Sequence, residues 1–109
     1  ADESGSKLVL TSDVESIGQQ DAIYTDTWVS MGDEDPSKKA VLLEKFAPYQ
    51  VNHKMMEKSG ASIVMHCQPA HLEEEITTAL FDSEMSVVFQ EAENRMWAQN
   101  AVLVTLLAN

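Results

Sequence analysis

Three segments of the sequence, around Asp26, His66 and Arg95, carry side chains that could do chemistry. Each segment follows a run of apolar residues. A thiolate beside an imidazole, as the His66–Cys67 pair could provide, acts as a nucleophile or as a polar contact to a substrate. The pair is also compatible with a buried histidine and an inert thiol, because free cysteine is usually buried. The candidate site residues are Asp26, Ser30, Met31, His66, Cys67, Gln68 and Arg95.

Several charged and aromatic side chains have simpler structural interpretations. Asp26 could cap a turn, and Arg95 could pair with Glu91, which is four residues away and therefore within reach on a helix. The three glutamates at 73–75 are expected to form a solvated helix face. Trp97 is expected to lie in the core.

The cysteine and histidine content predicts neither a metal site nor a cofactor. Zinc requires about four protein ligands, or three and a water molecule. His66, Cys67 and His71 do not match a familiar ligand spacing. The single cysteine excludes an internal disulfide and a multi-cysteine zinc site, and it fits a reducing cytoplasm.

The apolar pattern predicts an α/β fold in one domain spanning 1–109. Apolar runs predict strands at 7–11, 22–26, 61–67 and 86–90. Helical patterns lie at 35–46, with Asp35 as N-cap, at 71–80, at about 91–107, and from near Asn52 after a break at Pro48. We therefore expect a small, mostly parallel sheet of about four strands flanked by helices.

The order of these elements brings the candidate residues together. Ligands bind at the carboxyl ends of the strands in open α/β sheets. The candidate residues follow the predicted strands at 22–26, 61–67 and 86–90. If those strands are parallel, the three sets converge on one edge of the sheet.

The charge balance excludes some classes of partner. The chain has 18 acidic and 7 basic residues, a formal net charge of −11. Phosphate-rich nucleic acids and anionic membrane surfaces would be repelled. The sequence also contains no run of 18 apolar residues, so we expect no membrane span.

Four stretches together resemble the C-terminal part of the ornithine carbamoyltransferases. They are "YTDTWVSMG" (24–32), "FAPYQVN" (46–52), "MHCQPAH" (65–71) and "SVVFQEAENRMWAQNAVLVTLL" (86–107). The Asp-x-x-x-Ser-Met-Gly pattern is specific, since it separates the ornithine enzymes from the aspartate enzymes. The resemblance implies a partial Rossmann-like ornithine-binding domain, from a family that converts carbamoyl phosphate and L-ornithine to citrulline and phosphate.

The resemblance also implies a role for each candidate residue. Asp26 matches the carboxylate that contacts the α-amino group of ornithine, and Ser30 and Met31 match residues that hold the amino acid's head group. His66 and Cys67 match a His-Cys-Leu-Pro motif whose cysteine lies near the reacting δ-amine. Gln68 matches the residue whose backbone carbonyl contacts the carbamoyl NH₂ group. Arg95 matches the arginine that polarises the carbamoyl carbonyl.

Two substitutions separate this chain from the family pattern. Gln68 replaces the usual leucine, and "HLEEE" (71–75) replaces the usual His-Arg-Gly-Glu-Glu. The first leaves a backbone contact possible but puts a polar side chain where an apolar one packed. The second removes a basic residue and a glycine from the loop, which could alter how it closes over a substrate.

The carbamoyl-phosphate domain, with its phosphate-binding loop, has no counterpart in this sequence. We expect weak ornithine binding, carbamoyl phosphate binding only with a complementing domain, no turnover by the chain alone, and self-association through uncovered apolar faces. The alternatives are a non-catalytic binding module derived from the fold, and a segment of a carbamoyltransferase for another amine, such as putrescine.

Overall fold

The computed structural model describes residues 3–29 and 36–108. The described elements are β1 (Ala22–Thr25), α1 (Pro36–Phe46), α2 (His53–Ser59), β2 (Ile63–His66), α3 (Thr78–Phe81) and α4 (Val88–Leu107). Short 3-10 turns lie at Val14–Ser16 and Ala47–Tyr49. Ser30, Met31 and the predicted N-cap Asp35 lie outside the described residues.

The α/β class and the parallel sheet are confirmed, but the sheet described has two strands rather than about four. β1 and β2 pair in parallel, with Ala22 opposite Ile63 and Thr25 opposite His66. The predicted strand at 7–11 is wrong: it pairs with no strand among the described residues, and its side chains are exposed. Apolar character alone cannot make a strand without a neighbour to complete its hydrogen bonds.

The predicted strand at 86–90 is reduced to a single bridge. The backbone N–H of Val64 donates to Met85, and that of Val87 donates to the Val64 carbonyl. Val64 and Ser86 thus form an isolated parallel bridge beside β2, and α4 begins two residues later at Val88. The last predicted helix is confirmed, with its start three residues earlier than expected.

The helical middle of the chain follows local signals that the sequence displays. α1 ends at Phe46, and the turn containing Pro48 separates it from α2. The Asn52 side chain accepts a hydrogen bond from the Met55 N–H at 3.1 Å, which caps the start of α2. Gly60 ends α2 with a φ of 69°, a left-handed conformation that glycine adopts without strain.

The predicted helix at 71–80 is wrong over most of its length. Residues 73–75 form a turn, Glu73 has a positive φ of 66°, and only Thr78–Phe81 is helical. The turn directs Glu75 inward, where it is fully buried, so this glutamate does not belong to a solvated face. A continuous helix would be incompatible with the left-handed backbone at Glu73.

One buried cluster joins β2 to the elements around it. Its members are Val51, Met56, Ala61, Val64, Ile76 and Leu80, and partly buried Ile23 and Met55 pack against it. α4 touches this body mainly through β2, while its outer part is exposed. Trp97 is 58% exposed, so its assignment to the core is wrong.

The exposed side of α4 is apolar, yet it has no membrane-spanning character. Its exposed apolar side chains are Phe89, Met96, Trp97, Val102, Leu103, Val104, Leu106 and Leu107. Within the described part of the chain, no helix combines the length and apolarity that crossing a membrane requires. Self-association through this surface stays a prediction.

Truncating Leu80 should test the position of the core. Leu80 is fully buried in the cluster, so Leu80→Ala should lower the free energy of unfolding by about 2–5 kcal/mol. Leu106→Ala is the matched control, because Leu106 is 71% exposed and its loss should change stability by less than about 0.5 kcal/mol. Urea denaturation followed by circular dichroism measures both. Equal effects would contradict this core.

Candidate functional site

The strand register places Asp26 beside Cys67. Thr25 lies opposite His66 at the last paired position of the sheet, so the next residue of each strand leaves the sheet at the same edge. The Cys67 thiol donates to Asp26 Oδ1 at 2.9 Å, and the Thr27 N–H donates to the same oxygen at 2.7 Å. The convergence expected at the carboxyl ends of the strands is therefore present.

The Asp26–Cys67 contact determines how both groups ionise. Accepting the thiol hydrogen bond lowers the pKa of Asp26, and the Thr27 N–H lowers it further. The same hydrogen bond raises the pKa of Cys67, with burial and the negative charge of Asp26 acting in the same direction. Cys67 is therefore a protonated thiol at neutral pH, which makes it a hydrogen-bond donor rather than a nucleophile.

α4 contributes Glu91 and Arg95 to the same region. Glu91 Oε2 accepts a hydrogen bond from the His66 N–H at 3.1 Å, so the first turn of α4 is tied to the end of β2. Arg95 forms no ion pair within 4 Å among residues 3–29 and 36–108, so the alternative in which it pairs with Glu91 is wrong. Glu91 is instead occupied with the strand backbone.

These groups line one open cavity of about 610 Å³. Its lining residues are Tyr24, His66, Cys67, Gln68, Pro69, Glu91, Ala92 and Arg95. The cavity thus holds a thiol from the loop after β2, together with a guanidinium and a carboxylate from α4. Such a set can orient an amine and stabilise charge on a carbonyl oxygen.

A buried hydrogen-bond chain fixes the loop that carries Cys67. The Gln68 N–H donates to His66 Nδ1 at 2.8 Å, so Nδ1 is an acceptor and the imidazole proton resides on Nε2. His66 Nε2 then donates to Glu75 Oε1 at 2.9 Å, and the His71 N–H donates to that oxygen at 2.5 Å. His66 and Glu75 are both essentially inaccessible to solvent.

Glu75 is the positioning residue that sequence reasoning missed. Three consecutive glutamates look like a solvated surface, and nothing in their spacing separates Glu75 from its neighbours. The paired glutamates in the family pattern His-Arg-Gly-Glu-Glu were the one signal that could have pointed to Glu75. Burial of one glutamate beside a histidine requires a turn at 73–75, and the helical pattern concealed that turn.

Gln68 combines an uncommon backbone conformation with an unpartnered side chain. Its φ is 57°, in the left-handed region that non-glycine residues seldom adopt. Its side-chain nitrogen Nε2 is buried and has no hydrogen-bond partner among the described residues. An unsatisfied buried donor of this kind costs about 1–3 kcal/mol.

His71 joins the two loops that border the site. Thr27 Oγ1 and His71 Nδ1 lie 2.7 Å apart, a hydrogen bond between the loop after β1 and the loop after β2. His71, Glu74 and Glu75 also bring possible metal-ligand atoms within 4.8 Å of one another. This group differs from the His66, Cys67 and His71 combination that the sequence argued against.

Comparison with known proteins identifies the fold and the family. Residues 1–106 match the family described as "Aspartate/ornithine carbamoyltransferase, Asp/Orn binding domain". The chain belongs to the aspartate/ornithine carbamoyltransferase family. Its homology to ornithine carbamoyltransferase covers the segment that carries the Asp26–Cys67 contact, so the resemblance noted from the four stretches is confirmed.

Relatives within this family share much of the sequence. The chain is 59% identical over 104 residues to the ornithine carbamoyltransferase of Shewanella oneidensis, covering 95% of this chain and 34% of that protein. It is 51% identical over 107 residues to that of Moritella profunda, covering 98% and 35% respectively. The chain thus spans about a third of the length of the curated relatives it matches.

Solved structures in the family have the same fold. The ornithine carbamoyltransferase from Pyrococcus furiosus superposes with a TM-score of 0.72 at 42% identity, covering 84% of this chain and 29% of that one. A mutant N-acetyl-L-ornithine transcarbamylase complexed with carbamyl phosphate and N-succinyl-L-norvaline gives 0.78 at 26% identity, covering 97% and 32%. The Rossmann-like α/β character of the domain is shared with these neighbours.

Replacing Asp26 should make the Cys67 thiol more reactive. Only the thiolate is alkylated, and hydrogen bonding to Asp26 is the largest cause that raises the pKa of Cys67. Asp26→Asn should therefore move the pH–rate profile for iodoacetamide to lower pH and increase the rate at pH 8. Mass spectrometry measures the modification at the single cysteine of the chain.

Asp21→Asn is the matched control for this experiment. Asp21 precedes β1, at the end of the strand opposite Asp26. Asp21→Asn should leave the pH–rate profile for alkylation of Cys67 unchanged. A profile shifted to higher pH in Asp26→Asn would contradict the assigned hydrogen bond.

Gln68→Leu should stabilise the folded chain. The substitution removes the buried, unpartnered amide and keeps a side chain of similar size, while the cost of the positive φ is nearly the same for both residues. We expect the free energy of unfolding to rise by about 1 kcal/mol. The exposed Gln90→Leu is the control and should change it by less than about 0.5 kcal/mol. Destabilisation by Gln68→Leu would show that the amide has a partner.

Proposed function

We propose that this chain forms the ornithine-binding side of a carbamoyltransferase active site. The observation that carries the proposal is the direct contact between Asp26 and Cys67, in a chain whose α4 also places Arg95 on the cavity beside Cys67. The three residues come from three separate segments of the sequence, and each matches a family position. A general α/β fold would not by itself support this function.

The geometry suggests how an amine would be held. One oxygen of Asp26 is occupied by Cys67 and Thr27, while the other accepts no hydrogen bond from the described residues. That free oxygen is suited to the α-ammonium group of an amino acid. The thiol of Cys67 would then lie beside the far end of the ligand, where the δ-amine is found in ornithine.

The proposed reaction requires a neutral amine as nucleophile and a positive charge near the carbonyl oxygen. The amine must be neutral to attack the carbamoyl carbon. The positive charge of Arg95 can stabilise the oxyanion that develops when the amine adds to a carbamoyl carbonyl. The backbone carbonyl of Gln68, held by the hydrogen bond between its N–H and His66, is the proposed contact for the carbamoyl NH₂ group.

We further propose that the 109 residues make no citrulline unless a carbamoyl-phosphate-binding domain is supplied. The support is that the matching family region is the Asp/Orn-binding domain and that the sequence contains no glycine-rich phosphate loop. Phosphate recognition relies on backbone N–H groups and arginines of the kind found at helix N-termini. We place the function in the cytoplasm, in keeping with the free thiol of Cys67.

Calorimetric titration should show L-ornithine binding that depends on Asp26. Asp26→Asn removes the charge that would pair with the α-ammonium group, so affinity should fall at least about tenfold. Asp21→Asn should bind like the unmodified chain. Putrescine lacks the α-amino acid head group and should bind more weakly than ornithine. Equal binding of both ligands would favour the diamine alternative, and no binding of either would favour a non-catalytic module.

A citrulline assay tests the requirement for a second domain. The chain alone, given ornithine and carbamoyl phosphate, should form no citrulline above background. Addition of the separately produced carbamoyl-phosphate-binding part of the Shewanella oneidensis relative should restore turnover, and Arg95→Ala should abolish it, because a neutral side chain cannot stabilise the oxyanion. Clear turnover by the chain alone would overturn this part of the proposal.

A further inference from the structure

Two carboxylate oxygens beside the His66–Glu75 pair accept no hydrogen bond from the described residues. Glu75 Oε1 is occupied by His66 and His71, but Glu75 Oε2 is buried and accepts no hydrogen bond from the described residues. Glu74 has the same asymmetry: Oε1 pairs with Lys39 at 2.7 Å, while Oε2 is buried without a partner. Each carboxylate therefore uses one oxygen in protein contacts and leaves the other free.

Donors for these two oxygens are lacking among the described residues. Lys39 pairs with the other oxygen of Glu74, and His66 Nδ1 is itself an acceptor for the Gln68 N–H. A buried carboxylate oxygen that accepts no hydrogen bond is costly. The arrangement therefore favours a bound cation.

Three side chains bring possible ligand atoms close together. His71 Nδ1 lies 4.0 Å from Glu75 Oε2, too far for a hydrogen bond. Ligand atoms of His71, Glu74 and Glu75 all lie within 4.8 Å of one another. Two ligands bound to zinc at about 2.1 Å lie roughly 3.4 Å apart at a tetrahedral angle and at most about 4.2 Å apart. Small side-chain movements would therefore bring all three atoms onto a common centre.

We propose that His71, Glu74 and Glu75 form a binding site for a divalent transition-metal ion, with Zn²⁺ as the best match. One imidazole nitrogen and two carboxylate oxygens suit Zn²⁺, whereas Mg²⁺ and Ca²⁺ prefer sites made of oxygen alone. Water would complete the coordination. The site contains neither Cys67 nor Arg95, but it shares Glu75 with the hydrogen bonds that hold the Cys67 loop.

Metal binding would act on the loop that carries Cys67. The ion would bind Oε2 of Glu75, whose Oε1 holds both His66 and the backbone of His71. To use Nδ1 of His71, the ion would displace the Thr27 hydroxyl, which lies 2.7 Å away. The ion would therefore tighten the loop after β2 while releasing its link to the loop after β1.

Titration of the purified chain with ZnCl₂ tests the site. We expect one ion per chain by calorimetry, and a higher melting temperature with Zn²⁺ present. Glu74→Gln and His71→Gln should each weaken Zn²⁺ binding by at least about 10–100-fold. Loss of an outer-shell partner already weakens metal binding by this factor, and loss of a direct ligand should weaken it at least as much. Glu74 and His71 are partly exposed, so these variants should fold. The exposed Glu84→Gln is the control and should retain full affinity.

Replacement of Zn²⁺ by Co²⁺ identifies the ligands by absorption. A site of nitrogen and oxygen ligands gives weak visible bands without thiolate charge-transfer absorption, and Cys67→Ser should leave the spectrum unchanged. Thiolate charge-transfer absorption that disappears in Cys67→Ser would place the ion at the thiol and overturn the proposal. No binding at millimolar metal would also overturn it, and would mean that water satisfies the two free oxygens.

Discussion

The hydrogen bond between His66 and Glu75 is the interaction on which the site depends. It joins the last residue of β2 to the turn before α3, and both partners are shielded from solvent. Because the same carboxylate oxygen also accepts the His71 N–H, Glu75 closes the segment 66–71 into a loop. The direction of Cys67 and the carbonyl of Gln68 follow from this closure.

Burial of the Glu75 carboxylate costs free energy of folding, and the surrounding hydrogen bonds offset this cost only in part. Two donors converge on Oε1, but Oε2 has none among the described residues. Removing His66 would take away one of the two donors to Glu75 Oε1, and a buried polar group left unsatisfied costs about 1–3 kcal/mol. The contacts around Glu75 fix the conformation of the loop. Gln68 has a left-handed backbone, and the hydrogen bond from its N–H to His66 helps to maintain that conformation. A flexible loop would not hold the Cys67 thiol at 2.9 Å from Asp26.

The sequence correctly predicted the elements that depend on a few neighbouring residues. The cap at Asn52, the break at Pro48 and the two parallel strands each depend on a few neighbouring residues, and all are present. The strand predicted at 7–11 failed because pairing is a tertiary property, and Trp97 failed because an apolar helix face need not meet the core. The convergence of Asp26 and Cys67 was predictable, since parallel strands bring their carboxyl ends to one edge.

The inward rotation of Glu75 had no local cause in the sequence. Three adjacent glutamates differ only in the backbone that carries them, and the positive φ of Glu73 makes the turn. The Glu73 carboxylate also accepts the Thr78 N–H at 2.8 Å, so the start of α3 stabilises the turn that buries Glu75. A helical reading of 71–80 excluded this geometry, and with it the contact that positions the site.

The exposure of Arg95 is consistent with the proposal that these residues alone make no citrulline. Its side chain is exposed to solvent at the open cavity that it lines. Water screens a charge there, so the attraction between a guanidinium and an oxyanion is several times weaker than in a closed site. Electrostatic stabilisation of a carbonyl addition requires a site from which water is excluded. In the proposed function, the Asp26–Cys67 contact would orient a ligand, and Glu75 would hold the loop that carries Cys67 through His66. A covering surface would be needed before Arg95 could contribute its full effect.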